Sequence, residues 1–255
     1  MKSLKGLIAL LAVFFSIMGV AKDVVTTPGY ITAAIADSKR PATDTDQDAN
    51  RKPDSVLSFT GVKPNDQVID LIPGGGYYTR LFSKVVGPKG AVYAVTPDEL
   101  LTKFAKALDG VKAIADSGDY TNVVVLHQPA VPLTAPKPVD IVFTSMNYHD
   151  YHNPLLGSPD MTAFNKSVLN VLKPGGVFIV LDHAAAAGSG FDATNTTHRI
   201  DPAAAKAEIL AAGFEFVGES ELLRSADDDH TLGVFDKSLR GKTDRFIYKF
   251  RRPKH

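Results

Sequence analysis

From residue 67 onward the sequence alternates short runs rich in β-branched residues with segments whose apolar residues recur at helical spacing. Runs such as 67–72, 90–95 and 176–182 have the length of buried strands, and the segments between them are long enough for crossover helices. This alternation predicts a mainly parallel sheet covered on both faces. The 255 residues suffice for one such α/β domain with a sizeable core.

The end of the chain breaks the alternation. A helix with Asp201 as its cap and Pro202 at its first position is predicted to end at Gly213, and the strand-like runs 214–223 and 245–253 follow it. Two consecutive strands without an intervening helix predict an antiparallel pair at one side of the sheet. The predicted fold class is therefore α/β: a Rossmann-like, doubly wound, seven-stranded sheet, mainly parallel with a C-terminal antiparallel hairpin.

The first 21 residues have the pattern of a secretory signal peptide. Lys2 and Lys5 precede an apolar run over 7–20, and Gly19 and Ala21 supply small residues for cleavage. About 14 apolar residues are fewer than the roughly 20 that span a bilayer, although an uncleaved N-terminal anchor is the alternative. We expect residues 1–21 to be removed and the mature protein to be exported, to the periplasm or beyond the cell, with no stable membrane insertion.

Composition limits the partners and the chemistry. The chain has 28 basic and 28 acidic residues, so removal of Lys2 and Lys5 leaves 26 and 28, a net charge near −2. This balance argues against nucleic acid and anionic membranes as partners. The absence of cysteine from the sequence excludes disulfides and thiolate chemistry. A small molecule or a cell-envelope component is the expected partner, and the oligomeric state stays open.

Residues 22–54 form a polar, partly helical arm before the main domain at 55–255. Thr27 can cap a helix that starts at Pro28 and runs to about Ser38. The mixed charges and turn formers that follow fit a lid over a site or a solvated connector. Asp54 can cap a further helix that Gly61 ends.

The segment 68–79, VIDLIPGGGYYT, is the clearest sign of a ligand site. A strand leads through three consecutive glycines into the start of a helix, where free N–H groups and bare backbone can hold a nucleotide-like ligand. A tight turn without a ligand is the alternative. Ile72 stands where such a turn usually has its first glycine.

Two motifs resemble those of the class I S-adenosylmethionine-dependent methyltransferases, and the resemblance covers about residues 54–253. In DLIPGGGYYT, Asp70 matches the family's acidic residue, Gly74 and Gly76 match its second and third glycines, and Ile72 replaces the first. The stretch 171–182, VLKPGGVFIVLD, is similar to the family's fifth-strand region. Together with the PGGG turn, HRIDP at 198–202 and GKTDRF at 241–246 also resemble a subgroup of exported predicted methyltransferases. The resemblance implies S-adenosylmethionine as the cofactor and a methyltransferase-like domain at 55–255.

By this resemblance the cofactor would lie at the carboxyl ends of four strands. The predicted cofactor-binding residues are Asp70, Ile72, Gly74, Gly75, Gly76 and Thr79 at the first strand, Thr96 and Asp98 after the second, His127 and Gln128 after the third, and Asn147 after the fourth. Thr96 stands where the family favours an acid that grips the ribose. Asp98 restores that grip or only caps the following helix, predicted over 99–111. His127 and Gln128 contact the adenine or are ordinary polar strand ends.

The predicted catalytic residues are Tyr148, His149 and His183. Tyr148 or His149 can remove a proton from a methyl acceptor, because imidazole titrates near neutral pH. His183, with Asp182, can complete the pocket wall. His198 and Arg199 can face the acceptor or only lead into the next helix. No metal is predicted, although His149 and His152 could share one with Asp150; a polar loop that covers the sheet is the remaining alternative.

The sequence therefore predicts an exported S-adenosylmethionine-dependent methyltransferase that acts on a small molecule or an envelope component. Methyl transfer needs mainly alignment, which fits the lack of a nucleophile motif in the sequence. Ile72 and Thr96 motivate an alternative, a binding module on the same fold that has lost catalysis or binds another ligand. An unrelated dinucleotide-dependent oxidoreductase is a third possibility.

Overall fold

The computed structural model describes residues 27–254, so the predicted signal peptide lies outside the described residues. Seven strands form one sheet in the order β3-β2-β1-β4-β5-β7-β6. They are β1 (Gln67–Leu71), β2 (Ala91–Pro97), β3 (Val123–Gln128), β4 (Val139–Ser145), β5 (Leu172–His183), β6 (Glu215–Ser220) and β7 (Arg245–Arg251). The first five pair in parallel, and β7 runs antiparallel to both β5 and β6. The predicted fold class is confirmed.

Helices cover both faces of the sheet because each face carries its own apolar core. They are α1 (Gly29–Ile35), α2 (Ala42–Thr45), α3 (Asp48–Arg51), α4 (Pro53–Thr60), α5 (Tyr77–Val86), α6 (Asp98–Lys103), α7 (Asp109–Asp116), α8 (Met161–Val171) and α9 (Pro202–Ala211). Short 3₁₀ helices span Tyr148–His152 and Pro154–Leu156. Within residues 27–254, none of the helices has both the length and the apolar character needed to cross a bilayer.

The order of the strands positions the site. The chain winds outward from β1 to β3 and then returns to place β4 on the other side of β1. The connections therefore leave in opposite directions at the β1–β4 boundary, which opens a crevice at the carboxyl ends of these strands.

Helix ends differ from the sequence predictions in three places. The predicted helix over 99–111 is two helices, α6 and α7, with an extended break at Phe104, whose side chain is exposed. Helix α1 ends at Ile35, and Pro28, not Thr27, precedes its first turn. Asp54 lies inside the first turn of α4 and does not cap it. By contrast, the carboxylate of Asp201 does cap α9, since it accepts a hydrogen bond from the Ala203 amide at 2.9 Å.

The arm folds back onto the sheet domain. Arg40 is almost fully buried and forms a two-pronged hydrogen bond with Asp48 (2.9 and 2.6 Å). The same carboxylate accepts the hydroxyl proton of Tyr77 on α5 at 2.6 Å, and Arg80 pairs with Asp44 at 3.0 Å. These contacts hold α2 and α3 beside the glycine turn.

Candidate functional site

A cavity of about 950 Å³ lies at the carboxyl ends of β1, β4 and β5. Its walls come from the glycine turn, the 3₁₀ loop after β4, the end of β5 and the arm, and from the loops around residues 195–198 and 234–245. The residues that line the cavity include Ile72, Gly74, Gly75, Asn147, His149, Asp150, His183, His198, Phe235, Arg240, Thr243 and Arg245. A volume of this size suits a small organic ligand.

The three glycines of the turn have two different functions. A Cβ on Gly74 or Gly75 would meet no atom of the described residues within 4 Å, so both face open space in the cavity. A Cβ on Gly76 would lie 2.1 Å from Ile114 Cδ1. Gly76 also has a φ of +79°, immediately before α5. Gly74 and Gly75 therefore leave room for a ligand, whereas Gly76 allows α5 and α7 to pack.

Ile72 has a left-handed backbone, with a φ of +53°, which is unfavourable for a β-branched residue. Two hydrogen bonds hold it there: its amide donates to the Val95 carbonyl at 2.8 Å, and its carbonyl accepts from the Asn147 side chain at 3.1 Å. The conformation is the one that a glycine would adopt easily at this position. The isoleucine thus retains the geometry of the glycine turn at a cost in strain.

Asp70 and Thr79 support the turn from beneath. The buried Thr79 hydroxyl donates to the Asp70 carboxylate at 2.6 Å and joins the end of β1 to the first turn of α5. Burial raises the pKa of Asp70 to about 7, although the Thr79 hydrogen bond and the charge of Arg51 lower it. Neither side chain is part of the cavity lining.

The residues expected to contact the ribose and adenine lie outside the main cavity. Thr96 is buried, and its hydroxyl has no partner among the described residues. Asp98 instead pairs with His127, Oδ1 to Nδ1 at 2.7 Å. Asp98 does not cap α6, because Pro97 precedes the helix and Asp98 lies in its first turn. The Gln128 side chain bonds to the backbone of Thr134.

Asp98 lines a second, smaller cavity of about 320 Å³ beside the first. The two cavities share Lys103, Pro154 and Leu155. The Lys103 ammonium group donates to the Pro154 carbonyl. This contact lies on the boundary between the two cavities.

His149 is the most strongly oriented side chain of the loop after β4. Its Nδ1 and its backbone amide both bond to the fully buried Asp182, each at 2.8 Å. Burial lowers the pKa of His149, but the adjacent charges of Asp182 and Asp150 raise it more, so the net shift is upward. Burial raises the pKa of Asp182, but the charge of His149 and its hydrogen bonds lower it more, so the net pKa lies below the usual value. Because Asp182 is then ionised, Nδ1 of His149 is the donor and Nε2 faces away from Asp182.

Nε2 of His149 lies 3.3 Å from the Oδ1 atom of Asp150. Asp150 also accepts a hydrogen bond from the buried Asn153 amide at 3.0 Å, and His198 Nδ1 lies 3.7 Å from the same oxygen. The rings of His149 and His198 pack edge to face, with centroids 5.5 Å apart. Asp150 thus joins two histidines from separate loops.

His183 is the next imidazole along the cavity wall. Its Nδ1 lies 2.8 Å from the Thr243 hydroxyl. Burial lowers its pKa to about 3 despite the nearby Asp182 charge, so the ring is neutral near pH 7. A neutral imidazole here can exchange hydrogen bonds with a ligand but does not supply a charge.

Tyr148 and His152 are not brought to the cavity. The Tyr148 hydroxyl is fully buried and donates to Glu208 while it accepts from the Asn165 amide at 2.9 Å. Burial and the charge of Glu208 hold its pKa well above the usual value. His152 Nε2 lies 3.2 Å from Glu208, and the ring stacks on Phe191. Of the predicted catalytic residues, only His149 and His183 line the cavity.

A buried ion pair supports the wall that carries His198. Arg199 is fully buried and forms two hydrogen bonds with Asp228 (2.9 and 3.0 Å) and others with the Ala184 and Leu232 carbonyls. This pair holds together the loops after β5 and after β6. Sequence reasoning gave no role to Asp228, because it lies among three consecutive aspartates in a polar segment without periodicity.

The sequence analysis also did not predict that three arginines line the cavity. Arg240 lies in the segment before β7, Arg245 is the first residue of β7, and Arg51 comes from the arm. Arg245 donates to the Asn50 carbonyl at 2.8 Å, and Lys52 donates to the Leu222 carbonyl at 2.8 Å. These bonds join the arm to the segment before β7, and no local sequence signal indicates the contact.

Known proteins resemble part of this chain in sequence. No protein-family model matches the chain. The ubiquinone/menaquinone biosynthesis C-methyltransferase UbiE of Ectopseudomonas mendocina (strain ymp) is 30% identical over 130 residues, which are 50% of this chain and 45% of that protein. The chain therefore spans about half the length of the curated relatives it matches.

Solved structures resemble the chain over most of its length. A SAM-dependent methyltransferase from Aquifex aeolicus has a TM-score of 0.58 at 20% identity and covers 83% of this chain and 98% of its own. Fibrillarin from Aeropyrum pernix, solved with natively bound S-adenosyl-L-methionine, has a TM-score of 0.51 at 16% identity, with 80% and 76% covered. The chain has the α/β fold of class I S-adenosylmethionine-dependent methyltransferases. The predicted fold is thus shared with solved methyltransferases, and the relatives that match half of the chain in sequence are methyltransferases.

Proposed function

We propose that this chain is an exported S-adenosylmethionine-dependent methyltransferase that acts on a small molecule or a component of the cell envelope. The observation that carries the proposal is the pair Gly74 and Gly75, which leave open space at the carboxyl end of β1 inside the main cavity. The fold supports it, as does the similarity of half the chain to UbiE methyltransferases.

The cofactor's methionine end would lie against Gly74 and Gly75, where bare backbone and the start of α5 are accessible. Its adenosine end would extend toward Asp98 in the smaller cavity, past the contact between Lys103 and Pro154. The proposal therefore requires that this contact opens when the cofactor binds.

The acceptor would enter on the side of His149 and His183. His149 presents Nε2 to the cavity because Asp182 holds Nδ1, so it can take a proton from an acceptor hydroxyl or amine. When bound, S-adenosylmethionine would supply an activated methyl group to the acceptor atom and would keep the electron pair of its carbon–sulfur bond. Alignment of acceptor, methyl and sulfur supplies most of the rate.

Titration calorimetry with S-adenosylmethionine and S-adenosylhomocysteine tests the cofactor assignment. We expect one site per chain, with affinity reduced about tenfold or more in Gly75→Ala, since the added methyl group fills space that the ligand needs. Gly29→Ala is the matched control: its Cβ also meets no described atom within 4 Å, and it does not line the cavity. No binding at millimolar ligand would contradict the proposal.

Export and acceptor are tested separately. Processing at the predicted site gives a mature N-terminus at Lys22, whereas an intact Met1 in the envelope fraction would contradict cleavage. Transfer of a labelled methyl group from S-adenosylmethionine into envelope or small-molecule fractions, lost in His149→Asn, would locate the acceptor.

A binding module for another ligand is the second candidate. The observation that favours it is that Thr96, His127 and Gln128 do not line either cavity, while Asp98 is engaged by His127. If Asp98→Ala and wild type bind S-adenosylmethionine equally, ribose contact through Asp98 is wrong. If neither binds it while the fold is intact, this second function is favoured.

A further inference from the structure

Three side chains from two separate loops converge on one point of the cavity wall. One ring nitrogen each from His149 and His198 and a carboxylate oxygen of Asp150 lie within 4.8 Å of one another. We propose that these three atoms bind one divalent transition-metal ion, with Zn²⁺ as the ion that the ligand set fits best. A set of two imidazoles and one carboxylate binds transition-metal ions in preference to Mg²⁺ or Ca²⁺.

One ligand pair already has the spacing of a metal site, and a second pair is close to it. Two ligands each about 2.05 Å from a tetrahedral zinc ion lie about 3.3 Å apart. His149 Nε2 and Asp150 Oδ1 are 3.3 Å apart, and His198 Nδ1 is 3.7 Å from the same oxygen. The side chain of His198 is 31% exposed, so it has room to move the remaining few tenths of an ångström.

Two of the three ligands, His149 and Asp150, have outer contacts of the kind that orient metal ligands. Asp182 binds Nδ1 of His149 at 2.8 Å, which fixes the tautomer with Nε2 free for the ion. Asn153, itself buried, donates to Asp150 at 3.0 Å and fixes its carboxylate. The carboxylates of Asp150 and Asp182 together balance the charge of a divalent cation.

Three protein ligands leave at least one coordination position of the ion free. All three ligands line the main cavity, so that position would be taken by water or by an oxygen, nitrogen or sulfur donor of the ligand in the cavity. Nε2 of His149 cannot hold the ion and accept a proton at the same time, so the proton transfer proposed for it above would require the metal-free protein. The metal site rests on this geometry alone and does not depend on the proposed methyl transfer.

Titration of the untagged full chain, freed of metal by dialysis against a chelator, with Zn²⁺ alone tests the site. We expect one ion per chain with a dissociation constant below about 1 μM. Co²⁺ as a spectroscopic probe should give visible absorption bands of a site with nitrogen and oxygen ligands. His198→Gln and Asp150→Asn should each weaken Zn²⁺ binding about tenfold or more.

His127→Gln is the matched control, because His127 also pairs with an aspartate but lies outside both cavities. It should bind Zn²⁺ as wild type does. Circular dichroism of the metal-free variants checks that each is folded. Wild type that binds no Zn²⁺ at about 100 μM, or binding that both His198→Gln and Asp150→Asn leave unchanged, would overturn the site. S-adenosylmethionine titrated into the same metal-free protein separates this result from the cofactor assignment.

Discussion

One side of the cavity is lined by backbone and the other by titratable side chains. Beside β1, the surface is backbone: Gly74 and Gly75 leave open space, and the nearby Asp70 and Thr79 bond to each other beneath it. Beside β4 and β5, the surface is made of titratable side chains, each held by a partner of its own. Under the proposed function, the first side would select a ligand by shape, and the second would change the ligand's protonation or charge. The first will be called the glycine side and the second the histidine side.

The largest expected effect comes from breaking the buried Arg199–Asp228 pair, which supports the wall of the histidine side. Asp228→Asn removes the charge that neutralises the fully buried Arg199, so we expect the free energy of unfolding to fall by about 3–5 kcal/mol. Urea unfolding measures it. Asp227→Asn, next to it and exposed, should leave the midpoint unchanged. Equal effects of the two variants would contradict the role of the pair.

The next effect is a pH dependence of stability that originates at Asp70, on the glycine side. The pKa of Asp70 rises on folding from its usual value of 3.8 to about 7, so the folded state keeps a proton that the unfolded state loses. Stability is therefore lost as pH rises between about 4 and 7, by up to about 4 kcal/mol in total. Asp70→Asn removes this loss and should be more stable than wild type at pH 8, with little difference at pH 4.

Thermal unfolding of both proteins at the two pH values measures that difference. The direction of the change in stability is decisive. Asp70→Asn can stabilise the protein at alkaline pH only if burial of the charged Asp70 carboxylate destabilises the folded state. Asp66→Asn is the control, since the Asp66 carboxylate pairs with Lys63 at 2.9 Å. An Asp70→Asn variant less stable than wild type at pH 8 would contradict the assignment.

A smaller effect separates the glycines of the turn from one another. Gly76→Ala should destabilise the fold by about 2 kcal/mol, because its backbone is left-handed and its Cβ would clash with Ile114. Gly75→Ala should leave stability nearly unchanged and reduce only ligand affinity. Denaturant midpoints and calorimetry, run on both variants, compare the two. The division of functions within the turn would be wrong if Gly75→Ala unfolded as readily as Gly76→Ala.

The smallest expected effect is at Ile72. Ile72→Gly removes partly buried apolar surface but also relieves a left-handed β-branched residue, so the two terms nearly cancel and stability should change by less than about 1 kcal/mol. Ile69→Gly, in the middle of β1 and fully buried, should cost at least about 2–5 kcal/mol. Urea unfolding of both variants checks the contrast. A loss at Ile72 as large as that at Ile69 would show that its backbone carries no strain.

The glycine side could be predicted from the sequence because its signals are local. The run through β1, the three glycines and α5 lies within twenty residues. The alternation of strands and helices predicted the mainly parallel sheet around it. The helix predicted over 99–111 was wrong because its helical spacing continues across Phe104, where the backbone becomes extended and Phe104 lies exposed beside the cavity.

The histidine side could be predicted only in part. His149 follows β4 and His183 ends β5, and both line the cavity as expected, while their catalytic roles stay predictions. Thr243 and Arg245 reach the cavity because β7 inserts between β5 and β6, which sets His183 opposite Arg245. Tyr148 was expected beside His149, but the 3₁₀ turn directs it into the core toward Glu208. Such placements depend on tertiary contacts that no short segment encodes.

The bond between Arg245 and the Asn50 carbonyl joins residues 195 positions apart in the chain. A ribosome releases the N-terminus first, so the arm emerges long before the strand that secures it. The Thr243 hydroxyl that bonds to His183 belongs to the same late segment. During synthesis both contacts therefore form only after residues 243–245 have left the ribosome.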